Sequence, residues 1–184
     1  IMAISFIGSA SGTDTATPPT HQAGDLFIAH GFRDGSNSTP TVPGDWTTIE
    51  TNTTNSAGSA VAYKLAASSS ETVGTWTDAT EITLLVYRGV NQTNPVGDSA
   101  NATGSSTTVS YPALSMVVTD GTSWVIGFGA HRSIDTSLGT APTGMTNRIN
   151  PQEGADETAG HDTIGGVSSW SNQDVSVGGT SSGW

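Results

Sequence analysis

Apolar and polar residues alternate over short stretches of this chain, which is the pattern of half-buried β-strands. In the stretch "GDLFIAHGF", residues 24–32, the side chains of Leu26, Ile28 and His30 fall on one face of a strand. No long window keeps the spacing of an amphipathic helix, because Gly, Pro or β-branched clusters interrupt it. Strands are predicted at 2–7, 25–32, 46–50, 59–65, 72–77, 81–88, 107–110, 123–131, 145–149, 162–170 and 174–177.

The predicted strands are short, and clusters of Gly, Ser, Asn, Asp and Pro separate them. This spacing is typical of antiparallel sandwiches and barrels. We therefore predict an all-β fold, an antiparallel β-sandwich of jelly-roll type. A chain of 184 residues is long enough to bury a core as a single domain, residues 1–184.

The two halves of the chain resemble each other, which indicates an internal pseudo-repeat over about 1–98 and 99–184. Setting "GDLFIAHGFRDG" against "TSWVIGFGAHRS" places His30 opposite Phe128, and setting "PGDWTTI" against "PTGMTNRI" places Trp46 opposite Met145. The stretch "SAVAYKLA" is matched with "HDTIGGVSSW". The apolar stretch "TEITLLVYRGV" closes the first half without a counterpart in the second. We expect the natural gene to continue past Trp184 with such a strand.

The pseudo-repeat bears on the role of His30, a histidine inside a predicted buried strand. Because its counterpart is Phe128, the favoured interpretation is that the imidazole fills an aromatic-sized space and makes one hydrogen bond. A catalytic or metal-binding role is the alternative.

The charge of the chain disfavours two classes of partner. Sixteen acidic and five basic residues give a net charge of −11, which repels nucleic acid and anionic membrane surfaces. The absence of cysteine excludes disulfides, thiolate metal sites and cysteine nucleophiles.

Catalytic motifs are weak, and we predict no enzymatic activity and no catalytic residue. The four histidines, at 21, 30, 131 and 161, have no accompanying GxSxG motif. Acidic pairs for glycoside hydrolysis are conceivable, but these residues lie mostly in turns, where Asp commonly bonds its own backbone. The acidic candidates are Asp25, Asp45, Glu50, Asp98 and Asp120.

We predict no cofactor and no metal ligand, with a calcium ion in loop 33–38 or 152–157 as the open alternative. Among the tryptophans, Trp46, Trp124 and Trp170 occupy strand positions typical of a core. Trp76 lies between Thr75 and Thr77, and it is the candidate for stacking on a glycan.

Four stretches, "QAGDLFIAHGF", "VPGDWTTI", "AVAYKLA" and "VYRGVNQTNPV", make the first hundred residues resemble a β-sandwich of tailed-bacteriophage virion proteins, including tail-fibre and head-surface components. The second half matches a duplicated continuation. In that family these motifs are scaffold elements, so the resemblance implies an architecture and no catalytic residue.

The resemblance implies a structural protein of the virion, in capsid decoration or in a tail or fibre, outside the cell. Such proteins form symmetric oligomers, and we expect a homo-oligomer, a trimer being one form, in contact with other virion proteins. Apolar loop residues Val42, Val96 and Leu138 are candidates for these contacts. The alternative function is a carbohydrate-binding module that recognises a host-surface glycan.

Overall fold

The computed structural model describes residues 2–133, 138–154, 156–177 and 182–184. These residues form an all-β fold in which every paired strand is antiparallel. The all-β prediction is confirmed. Two main sheets pack face to face, which is the arrangement of a β-sandwich.

The first sheet has five strands in the order β1-β5-β2-β4-β3. Its central strand β2 pairs with both β4 and β5. The strands are β1 (Ser5–Gly12), β2 (Leu26–Asp34), β3 (Thr47–Thr54), β4 (Ala57–Leu65) and β5 (Glu81–Arg88).

The second sheet is built on β11, which pairs with β8, β9 and β10. Two small pairs, β7 with β12 and β6 with β13, accompany it. The strands are β6 (Ser105–Ser106), β7 (Thr108–Tyr111), β8 (Ile126–His131), β9 (Thr146–Ile149), β10 (Gln152–Glu153), β11 (Asp156–Asp162), β12 (Gln173–Ser176) and β13 (Ser182–Gly183).

The central strand β2 is buried on both faces. One face carries Leu26 and Ile28 into the core between the two sheets. The other face carries Phe27 and Ala29 into a second apolar cluster, the tryptophan layer. That layer contains Trp46 and Trp76, whose rings meet edge to face at 5.3 Å. This double burial explains why β2 and β5 read as nearly continuous apolar runs.

The pairing of the two halves agrees in detail. Strands β8, β11 and β9 pair in the same order as β2, β4 and β3. An extra residue interrupts both outer strands, Ile49 in β3 and Arg148 in β9. These two residues are opposite each other when the sequences of the halves are aligned. The two halves therefore share this pairing order and this bulge, and the internal repeat stays a prediction.

Two predicted strands are wrong. Residues 72–77 make only an isolated bridge between Thr77 and Thr41, and residues 163–170 make only single bridges at Val167 and Trp170. The counterpart of β4 is β11, which ends at Asp162, so the alignment of "SAVAYKLA" with "HDTIGGVSSW" is displaced. Within the described residues, no helix has the length and apolarity needed to cross a bilayer.

Candidate functional site: a cleft beside the second sheet

A cleft of about 250 Å³ opens between the two sheets. Leu26, Ile28 and His30 of β2 form its floor, and β8 forms the opposite wall. Strand β7 and the segment 95–102, which joins the two halves, close the remaining sides. Most of the side chains on the floor and the β8 wall are apolar, so the cleft suits an apolar occupant.

Two carboxylates hold the segment 95–102 in place beside the cleft. Glu50 of β3 accepts hydrogen bonds from the Ser99 hydroxyl at 2.5 Å and from the Asn101 side-chain amide at 2.6 Å. Asp98 of the same segment accepts the Ser115 backbone N–H at 2.6 Å. Glu50 and Asp98 both line the cleft, and the carboxylate of each accepts hydrogen bonds that hold the segment 95–102 in place.

His30 is a structural residue that also lines the cleft. Its Nε2 atom lies 3.0 Å from the Ser59 hydroxyl, and its ring stacks on Phe128 at 5.6 Å between centroids. Burial lowers the pKa of His30 to about 4, so the imidazole is neutral at pH 7. No described carboxylate is hydrogen-bonded to His30. This geometry agrees with the aromatic-slot interpretation and lacks the acid partner of a catalytic dyad.

The other three histidines also bond to groups of the fold. His21 contacts the Pro19 carbonyl, and His131 contacts the Ser106 carbonyl. His161 accepts the Asn147 side-chain amide on Nδ1, so its Nε2–H donates to the Tyr111 hydroxyl at 3.1 Å. Burial also lowers the pKa of His161 to about 4, although the Leu138 backbone and Asp162 act in the opposite direction.

Three of the five acidic candidates, Asp25, Asp45 and Asp120, lie outside the cleft lining, whereas Glu50 and Asp98 both line the cleft. Asp25 binds Arg88 through two hydrogen bonds, at 2.8 and 2.7 Å. Burial alone would raise its pKa, but Arg88 and the Gln22 N–H hold the pKa of Asp25 below its usual value. Asp45 pairs with Lys64 at 2.7 Å, and Asp120 bonds the N–H and hydroxyl of Thr122 in its own turn.

A buried ionic network joins the two sheets beyond the cleft. Asp162 of β11 is fully buried and accepts the Tyr87 hydroxyl at 2.7 Å and Arg148 Nε at 2.9 Å. The guanidinium of Arg148 lies 4.3 Å from the centre of the Phe6 ring. Burial, and then the Asp162 charge, raise the pKa of the Tyr87 hydroxyl. These hydrogen bonds connect β5 of the first sheet with β9 and β11 of the second.

In each of the two loops considered for calcium, one aspartate bonds to a neighbouring side chain. Asp34 pairs with Arg132. Asp156, in the other loop, accepts the Thr80 hydroxyl at 3.0 Å. Burial and the nearby Asp34 raise the pKa of Asp156 to about 6, and burial raises that of Glu81 to about 7. Of the side chains that the structure describes, none forms a metal-binding group of three or more His, Asp or Glu.

The prediction for Trp76 is wrong. Its side chain is fully buried against Trp46 in the tryptophan layer, so it cannot stack on a glycan. The tryptophans at the cleft are Trp124, Trp170 and Trp184, each partly exposed. The strand-like positions of Trp124 and Trp170 predict burial in the core, but both side chains are only partly buried. The pattern gave no signal for the cleft itself, because the cleft arises where the halves meet.

The contact residues expected for assembly are only partly accessible. Leu138 is fully buried in a cluster with Val109 and Tyr111, so it cannot contact another subunit. Val42 packs against the tryptophan layer, and Val96 lines the cleft. Among the residues that the structure describes, the exposed large apolar side chains are Met2, Val117, Val118 and Ile164.

The arrangement offers an apolar binding surface whose lining also includes His30, Glu50 and Asp98. Searches of known proteins add no identity: no family model, curated protein or solved structure matches this chain.

Proposed function

We propose that the protein is a non-enzymatic structural component of a tailed-bacteriophage virion, in capsid decoration or in a tail or fibre. The observation that supports this most directly is the use of the candidate catalytic groups. The four histidines and the five acidic candidates bond to groups that hold strands, turns and the joining segment in place. Three of them, His30, Glu50 and Asp98, also line the cleft. Side chains bonded in this way stabilise the fold, as expected of a structural component.

The virion location comes from the resemblance of the strand and turn motifs, and its test is direct. An antibody against the protein should label purified particles in immunogold electron microscopy, at the head or along the tail. An antibody against a host cytoplasmic protein serves as the control. Label that stays in the soluble lysate and is absent from particles would overturn this proposal.

A homo-oligomer, a trimer being one form, follows from the same proposal, with other virion proteins as its partners. Light scattering coupled to size-exclusion chromatography measures the mass of the isolated protein against the 18.7 kDa of one chain. A mass near one chain at all concentrations would contradict self-assembly in isolation.

Binding of a host-surface glycan is a second candidate function, because Trp170 and Trp184 are partly exposed at the cleft beside Asn101. Aromatic rings beside amide groups are a common setting for sugar recognition. A glycan array tests this, with Trp170→Ala as the variant that should lose binding. Equal signal from the variant, or no signal from either protein, would reject the glycan site.

A further inference from the structure

Strand β8 has one side of its backbone without a partner strand. Within the described residues, β11 is the only strand that pairs with β8. The carbonyl of Val125 accepts the Thr163 N–H on the β11 side. Because backbone groups alternate along an antiparallel strand, those of Ile126, Phe128 and Ala130 point to the opposite side. At the end of β8, the Arg132 N–H on that side donates to the Gly183 carbonyl. Along 126–130 no strand in the described part of the chain pairs with that side, so this stretch is a surface on which another strand can pair.

The first sheet shows what covers such an edge. Strand β2, which aligns with β8, pairs with β4 on one side and with β5 on the other. Strand β11 takes the place of β4 beside β8, with the same pairing order and the same bulge in the third strand. No strand in the described part of the chain takes the place of β5 beside β8.

The cleft lies at this position. Its lining includes β8, Val109 to Pro112 of the β7 region and the segment 95–102, so a strand bound there also contacts that segment. A cavity of about 150 Å³ holds a benzene molecule, so the 250 Å³ observed has room for roughly two apolar side chains. Ile126 and Phe128 are only partly buried, whereas Ile28 and His30, their counterparts in β2, are buried. A strand paired with β8 at the position that β5 has beside β2 would bury Ile126 and Phe128 further.

We propose that the β8 edge accepts an extended β-strand of a partner polypeptide, which pairs antiparallel with β8 and places apolar side chains in the cleft. The pairing of β2 with β5 indicates the pattern of that strand. Tyr87, Leu85 and Thr83 lie opposite Leu26, Ile28 and His30. The partner strand therefore carries a large aromatic, an aliphatic and a small residue at alternate positions.

Charge further restricts which sequences the partner strand can have. The chain has a net charge of −11, and Glu50 and Asp98 line the cleft. An acidic strand is therefore repelled, and a neutral or basic strand is favoured. The biological role of this strand addition rests on the proposed assembly function. The strand addition itself can be measured on the isolated protein.

A synthetic peptide with the sequence of residues 80–90, "TEITLLVYRGV", tests the inference. Anisotropy of a labelled peptide should show saturable binding below about 1 mM. Amide exchange measured by NMR should slow by about tenfold or more at Ile126, Phe128 and Ala130 on binding. Exchange at Val125, which already faces β11, should change little and serves as the internal reference.

Two N-methylated peptides provide a matched control that needs no protein variant. N-methylation removes the N–H donor, and alternate residues of a strand point to opposite sides. Methylating one alternate set should weaken binding by about tenfold or more, and methylating the other set should leave it nearly unchanged. Equal effects from the two sets, or no slowing of exchange at the β8 edge, would overturn strand addition.

A pair of protein variants adds a separate measurement. Ile126→Asp places a charge on the cleft wall and should abolish peptide binding, whereas Ile164→Asp, at an exposed position outside the cleft, should not. Equal binding by both variants would overturn the cleft as the site. A peptide that fails to bind overturns this inference and leaves the virion location standing. Absence from the particle overturns the proposed function and leaves strand addition standing.

Discussion

His30 carries a cost that a phenyl ring would not. Burial lowers the pKa of His30 from its usual value of 6.5 to about 4, so the unfolded chain binds a proton at a higher pH than the folded chain does. The contribution of a neutral His30 to stability is therefore complete above pH 6.5 and is lost as the pH falls towards 4. At pH 5 this loss amounts to roughly 2 kcal/mol.

The variant His30→Phe should remove this dependence, because Phe128 shows that the space accepts a phenyl ring in the second half. Urea unfolding at pH 8 gives the reference difference between variant and wild type, including the lost bond to Ser59. At pH 5 the variant should gain roughly 2 kcal/mol relative to that reference. A difference that is the same at both pH values would show that His30 does not titrate in this window.

The burial of Trp76 could not be predicted from the local sequence pattern. Trp76 lies between two threonines and matches an exposed position, yet it is fully buried. Its burial depends on the residues after β4, which fold back over the first sheet. There the backbone N–H of Trp76 donates to the Asp14 carbonyl. That contact spans distant parts of the chain, and local alternation carries no information about it.

At the scale of elements, the close packing of β2 against the tryptophan layer gives a sharp test. A Cβ atom at Gly31 would lie 2.7 Å from Cε3 of Trp76 and 3.2 Å from Cδ1 of Ile82. Both side chains are fully buried, so neither can move aside freely. Gly31→Ala should therefore lower the free energy of unfolding by about 1–3 kcal/mol.

Gly44→Ala is the matched control, because nothing lies within 4 Å of a Cβ atom at that position. This variant should change stability by about 0.5 kcal/mol or less. Urea unfolding followed by tryptophan fluorescence measures both variants. Equal stabilities of the two variants would mean that β2 and the tryptophan layer are not packed as closely as described.

Strands were predictable where apolar residues mark them and were missed where polar residues fill the core. The patterns of β2, β4 and β5 placed these strands to within two residues at each end. Strand β11, with the sequence "DETAGHD", was missed, although all seven residues are buried. Its polar side chains are paired across layers, as in the bond between Thr158 and Thr83 at 2.9 Å. Hydrophobic periodicity cannot identify a strand that is buried through hydrogen bonds.

At the scale of the whole molecule, the cleft follows from how the halves meet. The sequence comparison identified the apolar strand β5 as lacking a counterpart. It did not show that the resulting gap would lie against His30 and Phe128, because that depends on the packing of one sheet on the other. The single-domain prediction depends on the same packing.

The network of Asp162, Arg148 and Tyr87 provides a test of whether the two sheets unfold together. Replacing Arg148 with Met keeps much of the side-chain length but leaves the buried Asp162 carboxylate without its cation. Arg148→Met should therefore destabilise the protein by about 3 kcal/mol or more. Adding Asp162→Asn removes the unpaired charge and should recover part of that loss.

If the two sheets unfold as one cooperative unit, the loss of stability caused by Arg148→Met must be the same when it is measured in either half. Single-tryptophan proteins that retain Trp46 in the first half or Trp170 in the second report on each sheet separately. Both probes should give the same urea midpoint, and Arg148→Met should shift both midpoints together because Tyr87 of the first sheet bonds to Asp162 of the second. A shift confined to Trp170 would show that the second sheet unfolds independently, and the chain would then consist of two units instead of one domain.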